Sequence, residues 1–171
     1  MEVKKGRIKA GDREFIKKVV YTGRVSKAVK GGDTFQFRAL VVIGDKQGVV
    51  GIGMRKSKEA GDAIRKATQA ARNNLQRVPI WKGTISHELK GKCEGAYVSI
   101  WPASPGTGII AGSGVREVLE CVGIQNALTK SLGSTNRPNR VKATLDALSK
   151  LCDPLMVARR RGVSLDKVFN G

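Results

Sequence analysis

With 171 residues, of which 40% are hydrophobic but only 5% aromatic, the chain can bury one large core or two small ones packed mainly by aliphatic side chains, a domain usually taking roughly 100 to 200 residues. Thirty-two Lys and Arg against 14 Asp and Glu give a net charge of +18 and a pI of about 10.3, a self-repulsion that calls for a polyanionic partner. The cations are dispersed, ten in residues 1–30, ten in 55–92 and seven in 135–161, and no apolar run approaches the roughly 18 residues of a membrane span, which excludes a membrane anchor and leaves nucleic acid as the polyanion.

The N-terminus, Met1-Glu-Val-Lys-Lys-Gly-Arg-Ile-Lys, has no apolar stretch of the kind that marks a secretory signal. Residues 1–14 show no apolar period and read as a flexible basic arm. Phe15 to Val25 is rich in β-branched and aromatic residues, and Thr34-Phe-Gln-Phe-Arg-Ala-Leu-Val-Val-Ile begins with apolar/polar alternation, so both predict strands. Between them Ser26 to Asp33 predicts a hairpin loop, with Gly31 and Gly32 at the turn and Lys27 and Lys30 crowning it.

Gly44 to Gly48 predicts a turn into a third strand, Val49 to Met54, completing a three-stranded meander. Ser57 stands as a helix cap before residues 58–75, where Ala60, Ala63, Ile64, Ala67, Ala71 and Leu75 recur at helical spacing. A stripe of such small residues lets a helix lie close against a sheet. Val78-Pro79 breaks the pattern and sets the expected boundary between domains at 15–78 and 79–171.

Beyond it, Thr84 to Leu89 and Ala96 to Trp101 predict two strands joined by a Gly-Lys-rich turn. A loop from Pro102 to Ser113 leads into a helix over Val115 to Val122 with a stop at Gly123. A further helix is expected over Arg140 to Leu151 with Asn139 as its cap. Asp153-Pro154 opens a last short helix ending in Arg159, Arg160 and Arg161, where cations favour a helix C-terminus. The fold class is α+β.

Two stretches carry a family likeness: residues 30–54, Lys30-Gly-Gly-Asp-Thr-Phe-Gln-Phe-Arg-Ala-Leu-Val-Val-Ile-Gly-Asp-Lys-Gln-Gly-Val-Val-Gly-Ile-Gly-Met with the Asp62-Ala-Ile-Arg-Lys-Ala helix, and Pro102 to Glu120. Leu132-Gly-Ser-Thr-Asn and Val141-Lys-Ala-Thr-Leu follow in order, so the match covers roughly residues 20 to 165. The sequence resembles the small-subunit ribosomal protein five family of bacteria and organelles. The resemblance implies an N-terminal domain similar to double-stranded-RNA-binding domains, with a three-stranded antiparallel sheet and a helix, and a C-terminal two-layer α/β domain.

It also implies a structural role in the small ribosomal subunit, with small-subunit ribosomal RNA, ribosomal proteins four and eight, and messenger RNA at the entry channel as partners. Subunit assembly and translational accuracy follow as roles, in the ribosomes of the cytoplasm or of an organelle. Carried over by position, the RNA-binding loop is Val25, Ser26, Lys27, Lys30, Gly31 and Gly32, beside which Arg24, Arg55 and Lys56 are further RNA-binding candidates. The partner-protein contact falls on Gly106, Thr107, Gly108 and Arg116. Asp33 departs from the family, which usually has a basic or amide residue after the double glycine, and this weakens the case for a phosphate contact there.

Each site has a plainer reading. The Lys27/Lys30 loop carries two ammonium groups to phosphates or is a solvated turn, and Ser26 donates to a phosphate or simply ends the strand. Arg65, Lys66 and Arg72 grip RNA or form the wet face of a helix. Arg159 to Arg161 bind phosphate or an acidic protein, or complement a helix end. Trp81 and Trp101 stack on bases or seal the ends of a core.

Gly106-Thr-Gly-Ile-Ile-Ala111 fits a dinucleotide fingerprint formally, but no acid follows about 20 residues on. His87 with Cys93 suggests no catalytic pair beyond what packing explains. Cys93, Cys121 and Cys152 fit buried thiols in a reducing compartment and lack zinc spacing, so no cofactor, metal or enzymatic activity is expected. The alternative in another class is a free-standing double-stranded-RNA-binding regulator.

Overall fold

The computed structural model describes residues 14–170, so the expected arm over residues 1–14 lies, Glu14 excepted, outside the described residues. Its first sheet is a four-stranded antiparallel meander of β1 (Ile16–Val29), β2 (Gly32–Gly44), β3 (Val49–Ser57) and β4 (Leu75–Arg77), with α1 (Ala60–Arg72) between the last two strands. The fourth strand corrects the three-stranded expectation. Leu75 leaves the helix after Asn73 and Asn74, enters β4 opposite Gly51 and is buried there, satisfying an edge of β3 that would otherwise stand open.

Helix α1 lies on the sheet as closely as its alanines allow. Ala63, Ala67 and Ala71 are fully buried, and a Cβ at Gly53 would stand 2.0 Å from the Ala67 carbonyl oxygen, one at Gly51 2.3 Å from that of Ala71. Glycine on the strand and alanine on the helix are therefore two halves of one contact. Ser57 does not cap this helix: it ends β3, and Glu59 occupies the cap position without a side-chain bond. The Ser57 hydroxyl instead accepts from Lys66 Nζ at 3.1 Å.

The second sheet has the order β5 (Leu89–Cys93), β6 (Ala96–Pro102), β8 (Ala127–Gly133), β7 (Ile109–Ile110), and β7 pairs with β8 in parallel. Helix α3 (Arg137–Ser149) covers β5 and β6 to make two layers, while Tyr97, Leu128 and Leu132 stay exposed on the opposite face. Residues 84–88 are not a strand; the Gly-Lys-rich stretch expected as a turn is. Gly91 faces α3, and a Cβ there would stand 2.0 Å from the Ala143 carbonyl oxygen, so this glycine marks close packing rather than a turn.

Helix α2 (Val115–Val122) stops at Gly123 as expected. It joins the two sheets: Lys46 N donates to Cys121 O at 3.1 Å and Gly48 N to Val122 O at 2.9 Å, so the β2–β3 turn satisfies the end of the helix. One hydrophobic cluster runs from Val20, Leu40, Val42 and Val50 through Val118 and Leu119 to Val98, Ile100 and Leu148, while a second lies between α1 and the other face of the first sheet.

Several local expectations shift. Helix α3 begins at Arg137 with Asn136 at its cap, because Pro138 favours the first turn, and Asn139 Nδ2 instead donates to Glu94 at 2.7 Å. Helix α4 (Pro154–Arg161) is capped by Asp153, which accepts from Leu155 N at 3.0 Å, and α5 (Leu165–Asn170), which no signal announced, follows it. Only Cys121 is buried; Cys93 is half-buried and Cys152 exposed. Trp81 and Trp101 are both half-buried outside the core clusters, the Trp81 ring lying 5.6 Å from that of Phe169.

Candidate nucleic-acid interface

Strands β1 and β2 outrun β3. The last β2–β3 pair is Phe37 with Ser57, whereas β1 and β2 remain paired from Val25–Gln36 to Val29–Gly32. Those five pairs project as a two-stranded ribbon roughly 17 Å beyond the sheet at about 3.3 Å per residue. The turn is tighter than the predicted loop: Ser26 and Lys27 lie in β1, and only Lys30 and Gly31 remain between the strands. Gly31 N donates to Val29 O at 2.8 Å, and Gly32 takes φ +126°, a conformation open to glycine.

The alternation of a strand divides the residues singled out from the sequence between two faces. Arg24, Ser26 and Arg55 share the α1 face with Phe35 and Phe37; Val25, Lys27 and Lys56 share the other with Gln36 and Arg38. On the first face the Arg24 guanidinium stacks 3.7 Å from the Phe35 ring centroid, which holds the cation at the ribbon surface. None of Arg24, Lys27, Lys30, Arg55 and Lys56 joins an ion pair among the described residues, and all five are exposed. Arg65 by contrast is bound to Asp62 at 2.9 Å, Arg72 ends α1, and Arg159, Arg160 and Arg161 are exposed in the last turn of α4.

The second set of candidates lies far along the chain, where β6 turns toward β7. Gly106 and Gly108 take φ +92° and +72°, and their amides both donate to Asn126 Oδ1, at 3.1 and 3.0 Å. Thr107 N donates to Ser104 O at 3.2 Å. Asn126 is only 8% exposed and is itself fixed, its carbonyl accepting from Thr84 Oγ1 at 2.7 Å. It lies in the stretch where the acid of the dinucleotide fingerprint is missing, and no sequence pattern singles it out. The two glycine amides that would meet a pyrophosphate are thus already engaged, which removes the physical basis of the dinucleotide reading.

Arg116 is exposed on the first turn of α2 and lines an open groove of about 600 Å³ with Lys18, Lys46, Ile109 and Glu120. Lys18 and Glu120 form an ion pair there, and the hydrogen bond to Glu120 raises the Lys18 pKa above its ordinary value. Burial pushes the Cys121 thiol up to about 11. His87 is exposed, its Nδ1 3.1 Å from Ser86 Oγ. Among the described residues no group of three or more His, Cys, Asp or Glu could hold a metal ion, and no helix is long and apolar enough to cross a membrane.

These two structural units coincide with two family models, ribosomal protein S5, N-terminal domain, over residues 15–79, and ribosomal protein S5, C-terminal domain, over residues 91–161. The chain is 50% identical over 167 residues to small ribosomal subunit protein uS5 of Salinibacter ruber, covering 96% of this chain and 95% of the relative. It is 49% identical over 164 residues to that of Flavobacterium psychrophilum, covering 96% and 94%, and 49% identical over 158 residues to that of Thermotoga petrophila, covering 92% and 89%. Matched by both domain models and, over nearly its whole length, by these relatives, the chain belongs to the small ribosomal subunit protein uS5 family.

Proposed function

We propose that the chain is a structural constituent of the small ribosomal subunit that binds small-subunit ribosomal RNA, with the β1–β2 ribbon as its main RNA contact. The observation that carries this reading is the ribbon itself. A two-stranded ribbon is at best marginally stable alone. This one presents Arg24, Lys27 and Lys30 without carboxylate partners among the described residues, at a tip where a Cβ on Gly31 or Gly32 would meet no atom within 4 Å. Such a tip enters a narrow RNA cleft and places its ammonium groups on phosphates.

Gly106, Thr107, Gly108 and Arg116 are read as the contact with neighbouring ribosomal proteins, proteins four and eight among them, and through it with translational accuracy and messenger entry. The rigid Asn126-held loop beside the groove is suited to such a role, since a preorganised surface loses little freedom on docking. Residues 15–78 carry the main RNA contact and residues 79–171 the contact with protein neighbours, in the ribosomes of the cytoplasm.

The test is a salt titration of binding to purified small-subunit RNA. Lys27→Ala/Lys30→Ala should bind more weakly, with a log-log salt slope shallower by about 1.8, at about 0.9 for each phosphate no longer neutralised. An unchanged affinity and slope would remove the ribbon tip from the RNA interface.

A further inference from the structure

The face of the first sheet turned away from α1 carries Arg38 and, reaching in from α3, Arg137, neither of which the sequence marked as an RNA-binding candidate. Arg38 lies directly opposite Lys56 on one side and Gly23 on the other. With no side chain at 23, the Tyr21 ring lies across that position: a Cβ there would stand 2.0 Å from the Tyr21 hydroxyl oxygen. Arg137, from the first turn of α3, sits 5.6 Å from the centroid of the same ring. Lys56, Arg38, the Tyr21 ring and Arg137 therefore form a continuous track across β3, β2, β1 and α3.

The cations of this track meet only weak partners within the protein. Arg38 directs Nε and Nη2 at the Met54 thioether, at 3.1 and 2.9 Å, a weak acceptor for a guanidinium. Arg137 has the Tyr21 ring, and none of the three cations joins an ion pair among the described residues. Arg140, one helical turn on, gives Nη2 to Thr135 O at 2.9 Å while its buried Nε has no partner. Glu94 accepts from Asn139, and Glu117 from Gly114 N.

We propose that this track is a second phosphodiester-binding site, separate from the ribbon tip and the Arg24 face, so that the protein bridges two RNA segments lying on opposite sides of one sheet. Two guanidinium forks match phosphate oxygens, and the flat ring between them gives a ribose or base a surface to rest on. The positive end of α3, which has no acid in its first turn, adds to the same field. The proposal rests on the RNA-binding reading above, and its test is built to fail separately from it.

Two measurements on the full chain decide it. In the salt titration, Arg38→Gln/Arg137→Gln should flatten the slope on small-subunit RNA by about 1.8, additively with Lys27→Ala/Lys30→Ala, and Arg38→Lys/Arg137→Lys should restore most of it. A weaker tip variant with no change in Arg38→Gln/Arg137→Gln overturns the second site and leaves the ribbon reading intact; the reverse pattern supports the track and defeats the ribbon. For location, an iron chelate is tethered to Ser26→Cys or to Gln36→Cys after replacing Cys93 and Cys152 with Ser, the buried Cys121 being retained. Hydroxyl radicals from the two positions should cut different RNA segments; cuts at one shared segment overturn the bridging claim.

Discussion

The ribbon and the body it springs from use glycine for opposite purposes. At Gly31 and Gly32 nothing stands within 4 Å of where a side chain would begin, whereas at Gly44, Gly53 and Gly91 a backbone carbonyl oxygen from a packed helix stands 2.0 Å away. In the body glycine permits helices to touch strands; at the tip it leaves room for something outside the chain. The difference separates a region that completes itself from one that, on the RNA-binding reading proposed above, a partner completes.

The largest effect should come from closing one of the body's glycines. Gly53→Ala forces α1 off the sheet and should cost about 3 kcal/mol, the upper end for an overpacked core, whereas Gly31→Ala should leave stability within about 0.5 kcal/mol, as an exposed surface change does. Urea unfolding of the two variants checks this; comparable losses in both would erase the contrast between tip and body.

Next comes the loop held by Asn126. Asn126→Ala leaves the Gly106 and Gly108 amides without their acceptor and should destabilise the protein by about 2 kcal/mol, with faster hydrogen exchange at those two amides than at the rest of the second sheet. If exchange there stayed as slow as in the parent, the loop would not depend on that side chain.

The smallest effect concerns the seam between the sheets. Cys121 is buried and its thiol lies at about 11 in the fold against an ordinary 9.0, so below pH 9 both folded and unfolded forms hold the proton and the group contributes nothing to pH dependence. Between about pH 9 and 11 the unfolded chain loses its proton first, and stability should fall across that window. Lys18, whose pKa is raised above its ordinary 10.5 by the hydrogen bond to Glu120, adds a further loss that begins as pH passes that ordinary value. Cys121→Ala should therefore show a flatter decline from pH 9 to 11 than the parent; an identical decline would assign the loss to other groups.

Much of the first sheet was legible because its signals are local. Alternation marked β2, paired glycines marked the turn, and the Ala63-Ala67-Ala71 stripe announced a helix lying close to a strand. The second sheet was harder to read: Lys90 and Lys92 flank a glycine that looks like a turn until Ala143 is placed behind it, and Ala127 to Gly133 has no apolar alternation strong enough to declare a strand. Asn126 gave no signal at all, since its importance lies in two amides about 20 residues earlier in the chain.

The candidate site divides in the same way. Composition and charge alone determined that the chain needs a polyanion, and the family resemblance picked out Lys27, Lys30 and the glycines between the strands. Only the tertiary structure decided which cations share a face, because strand parity puts Arg24 and Lys27 on opposite faces although they are three residues apart, and packing brings Arg137 to the Tyr21 ring from a distant part of the chain. Charge is a sum over residues and survives any arrangement of them. A binding surface is a matter of which side chains share a face, and that is set by pairing and packing between distant segments.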